Sequence, residues 1–94
     1  MPSTKKLIAY HELIGLKIKI ASHSDPTLVG KSGVVVDETS NTLIILDEDK
    51  NKKIRVPKCY GIYEFELQSK ERIIIDGTLL LGRPEDRLKK MLRR

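Results

Sequence analysis

Leu16-Lys17-Ile18-Lys19-Ile20 is the stretch on which the reading of this chain turns. Leu16, Ile18 and Ile20 fall on one side of an extended backbone and Lys17 and Lys19 on the other, the period-two pattern of a strand with one buried and one solvated face. Upstream the period is helical. Leu7, Tyr10 and Ile14, with Leu13 beside them, recur at helical spacing after the capping types Ser3 and Thr4, and Gly15 supplies the stop. A helix of about ten residues is marginal alone in water, so this apolar stripe is expected to dock on the rest of the fold or on another protein.

Downstream, the pattern of short strands continues. His23 to Gly30, with Ser24, Asp25, Pro26 and Thr27, is a loop, and the β-branched run Val34 to Val36 follows it. A turn at Ser40 and Asn41 leads to Leu43 to Leu46, and a second turn at Glu48 to Asn51 leads to Lys53, Ile54, Arg55 and Val56, where Pro57 stops the ladder. Tyr63, Phe65 and Leu67 then alternate with Glu64 and Glu66, and Arg72 to Ile75 form a last β-branched run before Asp76 and Gly77. Six short strands joined by tight turns in so small a chain imply a mainly β fold, a closed or nearly closed antiparallel barrel. Leu79 to Leu81 either extends the last strand or caps one end of the barrel. After Gly82, Arg83-Pro84-Glu85-Asp86 reads as a helix start, and Leu88, Met91 and Leu92 form an apolar stripe among Arg87, Lys89, Lys90, Arg93 and Arg94. The expected organisation is one domain over 1–94: an N-terminal helical extension (1–15), the barrel (16–82) and a basic C-terminal helix (83–94).

Composition sets the limits. With 94 residues, 39% of them hydrophobic, the chain can close one core. Eighteen Lys and Arg against 13 Asp and Glu give a net charge of +5, which favours a polyanionic partner, nucleic acid first. The single cysteine, Cys59, excludes an internal disulfide and a multi-thiolate zinc site and suits a reducing compartment. No apolar run approaches the roughly 20 residues that span a bilayer, and no signal-peptide pattern follows Met1. A soluble, cytoplasmic protein without a membrane partner is expected.

Lys50, Lys52, Lys53, Arg55 and Lys58 follow one another with no acid between them. Such a run neutralises RNA phosphates, or is a solvated strand face balanced by Asp47, Glu48 and Asp49 just upstream. The C-terminal cations carry the same two readings. Gly30-Lys31-Ser32-Gly33 lacks the spacing of a nucleotide-binding loop and precedes a strand, so its glycines serve a turn. His11 and His23 have no second ligand at metal spacing, and Asp37-Glu38 and Asp47-Glu48-Asp49 fit strand ends better than a two-metal nuclease site. Cys59 has no neighbouring histidine to activate it and reads as a buried or partly buried thiol. Neither a catalytic residue, a metal nor a cofactor is implied. The aromatics are Tyr10, Tyr60, Tyr63 and Phe65; Tyr63 and Phe65 look inward, which favours recognition of a folded RNA by shape and phosphate geometry.

His11-Glu12-Leu13-Ile14-Gly15-Leu16, Gly30-Lys31-Ser32-Gly33-Val34-Val35-Val36-Asp37-Glu38-Thr39, Asn41-Thr42-Leu43 and Gly82-Arg83-Pro84-Glu85-Asp86-Arg87 occur in that order. In these blocks the chain resembles the archaeal ribonuclease P protein component 1 family, the Sm-like subunit. The resemblance implies a six-stranded, strongly bent antiparallel Sm-like barrel with helical extensions at both ends. It further implies a ribonucleoprotein that removes the 5′ leader of precursor tRNA, in which the RNA carries the chemistry. The partners it implies are ribonuclease P RNA, a zinc-ribbon protein subunit that helps this one support the specificity domain of the RNA, and the other ribonuclease P proteins. On charge and matched motif, Lys31, Lys50, Lys52, Lys53, Arg55, Lys58, Arg83 and Arg87 are expected to meet RNA. The protein-partner surface is expected at Leu7, Tyr10, Ile14, Leu88, Met91 and Leu92. The competing readings are a ribosome-associated RNA-binding barrel and a basic small-barrel scaffold whose charge only keeps it soluble.

Overall fold

The computed structural model describes residues 13–67 and 69–82. Six strands follow in chain order: β1 (Lys17–His23), β2 (Ser32–Glu38), β3 (Thr42–Asp47), β4 (Lys53–Pro57), β5 (Gly61–Glu66) and β6 (Arg72–Asp76). They form one antiparallel sheet in the order β4-β3-β2-β1-β5-β6.

The inward residues are those the alternation predicts. Ile18 and Ile20 of β1, Val35 of β2, Leu43 and Ile45 of β3, Val56 of β4, Tyr63 and Phe65 of β5 and Ile73 and Ile75 of β6 are buried together with Leu13, Leu28 and Leu80. Removing each of these larger side chains from water stabilises the fold by about 1.5–3 kcal/mol. The outer face reads Lys17 and Lys19, then Glu64 and Glu66, then Arg72 on successive strands. Lys17 pairs across the ladder with Glu66, and Lys19 with Glu64.

Two irregularities bend the sheet. The register shifts between Ile20 and Ser22 against β5, and between Val35 and Asp37 against β3. A bulge adds a residue to one strand only, so that strand coils more strongly, and here the two bulged strands are neighbours. Gly33 pairs with Ile18 of β1 and Asp47 of β3, and a Cβ on it would occupy the position of the Leu46 carbonyl. That position has room for glycine alone.

The end strands β4 and β6 are not joined by a ladder. Side chains hold the passage from β4 to β5 instead: the Tyr63 hydroxyl donates to the carbonyls of Pro57 (2.6 Å) and Lys58 (3.1 Å). Burial pushes that phenol far above its ordinary pKa, so it remains a donor. The strand over Leu16 to Ile20 runs on to His23, since Ser22 and His23 pair with Ile62 and Gly61 beyond the bulge. Leu79 to Leu81 does not extend β6. Asp76 accepts from the Thr78 amide at 3.0 Å and opens a 3-10 turn over Gly77–Leu80, which carries Leu80 into the core. The expected N-terminal helix falls on residues 1–15, of which only 13–15 are described, and they form a turn ending at Gly15 (φ 96°). The expected C-terminal helix lies outside the described residues.

Candidate nucleic-acid interface

Lys53 and Arg55 alternate along β4 with Ile54 and Val56, so both cations stand on the outer face, opposite Leu46 and Ile44 of β3. Lys50 and Lys52 occupy the turn before them. All four are exposed, and none forms an ion pair among the described residues. The turn is tight because Asn51 takes φ 53°, with the Asn51 amide donating to the Asp47 carbonyl at 2.9 Å and the Asp47 amide to the Lys52 carbonyl at 2.7 Å.

The acids just upstream do not cancel this charge evenly. Asp47 is buried, accepts from the Asp49 amide at 3.1 Å and pairs with Lys31 at 3.3 Å. The amide bond first, and Lys31 with it, hold the Asp47 carboxyl below its ordinary pKa against the opposing effect of desolvation. Glu48 accepts from the Ser32 hydroxyl at 2.8 Å, and its own amide donates to the Ser32 carbonyl at 3.0 Å. Two of the three acids are therefore tied back to the start of β2. Lys52, Lys53 and Arg55 project without them, and Lys50 acts on Asp47 only through space.

Two expected RNA contacts look different in three dimensions. Lys31 is partly buried and committed to Asp47. Lys58 is a correction: its side chain is fully buried, and its ammonium donates to Glu38 at 2.6 Å, to the Gly82 carbonyl at 2.8 Å and to the Ser40 carbonyl at 3.3 Å. Its three donors are spent inside the protein, and it has no surface to offer a phosphate. Ile14, expected at the partner surface, is exposed. Arg83, Arg87, Leu7, Tyr10, Leu88, Met91 and Leu92 lie outside the described residues.

Carboxylates do not converge. Glu38 belongs to Lys58, Asp37 caps the Glu38 amide at 2.7 Å, and no group of three His, Cys, Asp or Glu gathers among the described residues. His23 accepts from the Asp25 amide at Nδ1 (3.0 Å), which leaves Nε2–H to donate to the Pro57 carbonyl at 3.1 Å. Both ring nitrogens are thus used in holding loops together. No helix among the described residues is long and apolar enough to cross a membrane.

The family model described as "Ribonuclease P/MRP, subunit p29" matches residues 6–90. The chain belongs to the ribonuclease P/MRP p29 family. Within that family it is 50% identical over 93 residues to the ribonuclease P protein component 1 of Staphylothermus marinus, covering 99% of this chain and all of that one. It is 49% identical over 90 residues to the corresponding protein of Pyrococcus furiosus, covering 96% of this chain and 69% of the relative. The solved structure of Mth11, described as a homologue of human RNase P protein Rpp29, matches with a TM-score of 0.59 at 45% identity and covers 82% of this chain and 97% of its own. The bent six-stranded p29 fold expected from the sequence is the fold observed, and the chain is a ribonuclease P protein component.

One residue of this p29 chain is named among the aromatics of the sequence but given no role there. Tyr60 is 74% exposed, the most solvent-facing of the large hydrophobic side chains among the described residues. The available signal was its place in the turn between Pro57 and Gly61, where an aromatic ring has no strand face to bury it.

Proposed function

We propose that this chain is a non-catalytic, RNA-binding subunit of cytoplasmic ribonuclease P, the ribonucleoprotein that removes the 5′ leader of precursor tRNA. The observation that carries the reading is the β3–β4 hairpin, where Lys50, Lys52, Lys53 and Arg55 stand exposed and without an ion pair among the described residues while Asp47 and Glu48 are drawn back. Unpaired cations on a rigid ladder release counterions when they meet phosphates and lose nothing by breaking internal ion pairs. Arg83 and Arg87, outside the described residues, are included as RNA contacts on their charge, and Lys31 contributes its charge to the field from beside Asp47. Lys58 is left out. The RNA carries the hydrolysis, and this subunit, paired with the zinc-ribbon protein of the same enzyme, supports the specificity domain of the RNA. The stripes Leu7, Tyr10, Ile14 and Leu88, Met91, Leu92 form the surface for that protein partner.

The test is binding to ribonuclease P RNA across a salt series, with an unrelated folded RNA as competitor, with and without the zinc-ribbon subunit. Selective, salt-sensitive binding that tightens with the second protein is the expected result. Unselective binding indifferent to that protein would replace this reading with a generic basic barrel.

A further inference from the structure

The turn from β4 to β5 is built rigidly around a ring that serves no purpose inside the fold. Tyr60 takes φ 72°, a left-handed conformation disfavoured by the clash between a Cβ and the backbone. Glycine would relieve that clash, yet the glycine of the turn is one position later. Gly61 is needed there for a different reason, because a Cβ on it would run into the rings of Tyr63 and His23. The backbone of the turn is held on both sides: the Ser24 amide donates to the Tyr60 carbonyl at 2.9 Å, the Lys58 amide to the Asn41 carbonyl at 2.8 Å, and the Tyr63 hydroxyl spans Pro57 and Lys58. The Tyr60 hydroxyl has no hydrogen-bond partner among the described residues. The backbone of this strained position is fixed in place while its side chain, exposed and without a hydrogen bond among the described residues, adds nothing to the fold, and this combination points to use by a ligand.

We propose that Tyr60 is a stacking platform for an unpaired base of the RNA this chain binds, a proposal that rests on the RNA-binding reading above. A base needs a single aromatic face, whereas a protein hot spot needs a surrounding apolar rim to exclude water. Among the described residues, the exposed apolar side chains of β5 and β6 stand beside polar ladder neighbours, Ile74 opposite Glu64. Ile62 is partly exposed nearby, but its ladder neighbours are Ser22 and Asp76, and the loop bonded to Tyr60 continues into Ser24 and Asp25. Asp25 directs its carboxylate at the Thr27 amide (3.0 Å) and hydroxyl (2.7 Å). Long-range attraction comes from the neighbouring chain exit. The Gly82 amide donates to the Ser40 carbonyl at 2.8 Å, and the Gly82 carbonyl accepts from Lys58, two residues before Tyr60. The sequence after Gly82 carries Arg83, Arg87, Lys89, Lys90, Arg93 and Arg94 against Glu85 and Asp86. The stacked base would therefore lie close to where that basic segment begins.

Tyr60→Asn removes the ring and keeps a residue that tolerates the left-handed region, and Tyr60→Phe keeps the ring and removes the hydroxyl. The probe is ribonuclease P RNA, titrated at several salt concentrations. The expected result is that Tyr60→Asn binds about tenfold or more weakly at every salt concentration with the salt slope unchanged, because stacking is not ionic, while Tyr60→Phe binds as the parent does. Should Tyr60→Asn fail to fold, Tyr60→Gly takes its place, since glycine is at ease at this φ. A parent protein that binds the RNA and a Tyr60→Asn variant that binds it equally well overturn the stacking platform alone. A parent that does not bind the RNA at all overturns the RNA-binding reading and this proposal with it. Loss of the zinc-ribbon subunit with RNA affinity intact overturns the proposal in favour of a protein contact.

Discussion

Lys58 and Glu38 meet at 2.6 Å with both side chains closed off from water, and the same ammonium holds the backbone at Ser40 and Gly82. The last cation of a basic run thus knots together the end of β2, the β2–β3 turn, the exit of β4 and the last described residue of the barrel. The pair is integral to how those four pieces of chain meet.

Lys58→Met is expected to destabilise the fold by about 3–5 kcal/mol, because it strands the Glu38 carboxylate without its cation. Combining it with Glu38→Leu should recover the part of the loss due to the stranded carboxylate, while the part due to the Ser40 and Gly82 carbonyls, which also lose the ammonium, remains. Urea denaturation of the single and double variants checks this. A single variant as stable as the parent would mean that the pair holds nothing together.

Replacing Lys52, Lys53 and Arg55 by Gln should weaken RNA binding and flatten its dependence on salt, by about 0.7–0.9 in the logarithmic slope for each phosphate no longer neutralised. These residues are exposed and make no internal ion pair among the described residues, so thermal stability should barely move. An unchanged slope would remove the hairpin from the interface.

Acid should act on Asp47. Its folded pKa lies below the ordinary 3.8, so the carboxylate contributes its full stability above that value and loses it as pH falls through the lower folded value. The stability gap between the parent and Asp47→Asn should be constant near neutrality and shrink once pH drops below about 4. Denaturation midpoints of the two proteins across that range measure it. A gap that widens on acidification would contradict the assigned direction.

The strands were legible because burial follows alternation: Ile18, Ile20, Tyr63 and Phe65 face the core as their spacing predicts. The bulges after Ile20 and Val35 were not, since an extra residue that breaks a ladder leaves no mark in a run of apolar and small side chains. Leu79 to Leu81 were ambiguous because an apolar run suits a strand and a cap equally, and the Asp76–Thr78 bond decided between them. Lys58 was misread for a related reason. In one dimension it is the last of five cations, and only folding brings Glu38, Ser40 and Gly82 around it. The exposure of Lys53 and Arg55 follows from a strand face that the alternation assigns, and that of Lys50 and Lys52 from the turn that precedes it. Tyr60 was given no role because a turn has no periodicity from which to infer where a ring points.

The position of β4 at one end of the sheet order gives its charges a second consequence. An edge strand carries backbone donors and acceptors that a second copy of the same strand can pair with, and lysine, arginine and proline on such an edge discourage that pairing. Lys53, Arg55 and Pro57 are those residues. The cations proposed to meet RNA therefore also guard the protein against self-aggregation, and variants that neutralise them should become less soluble as well as bind RNA more weakly.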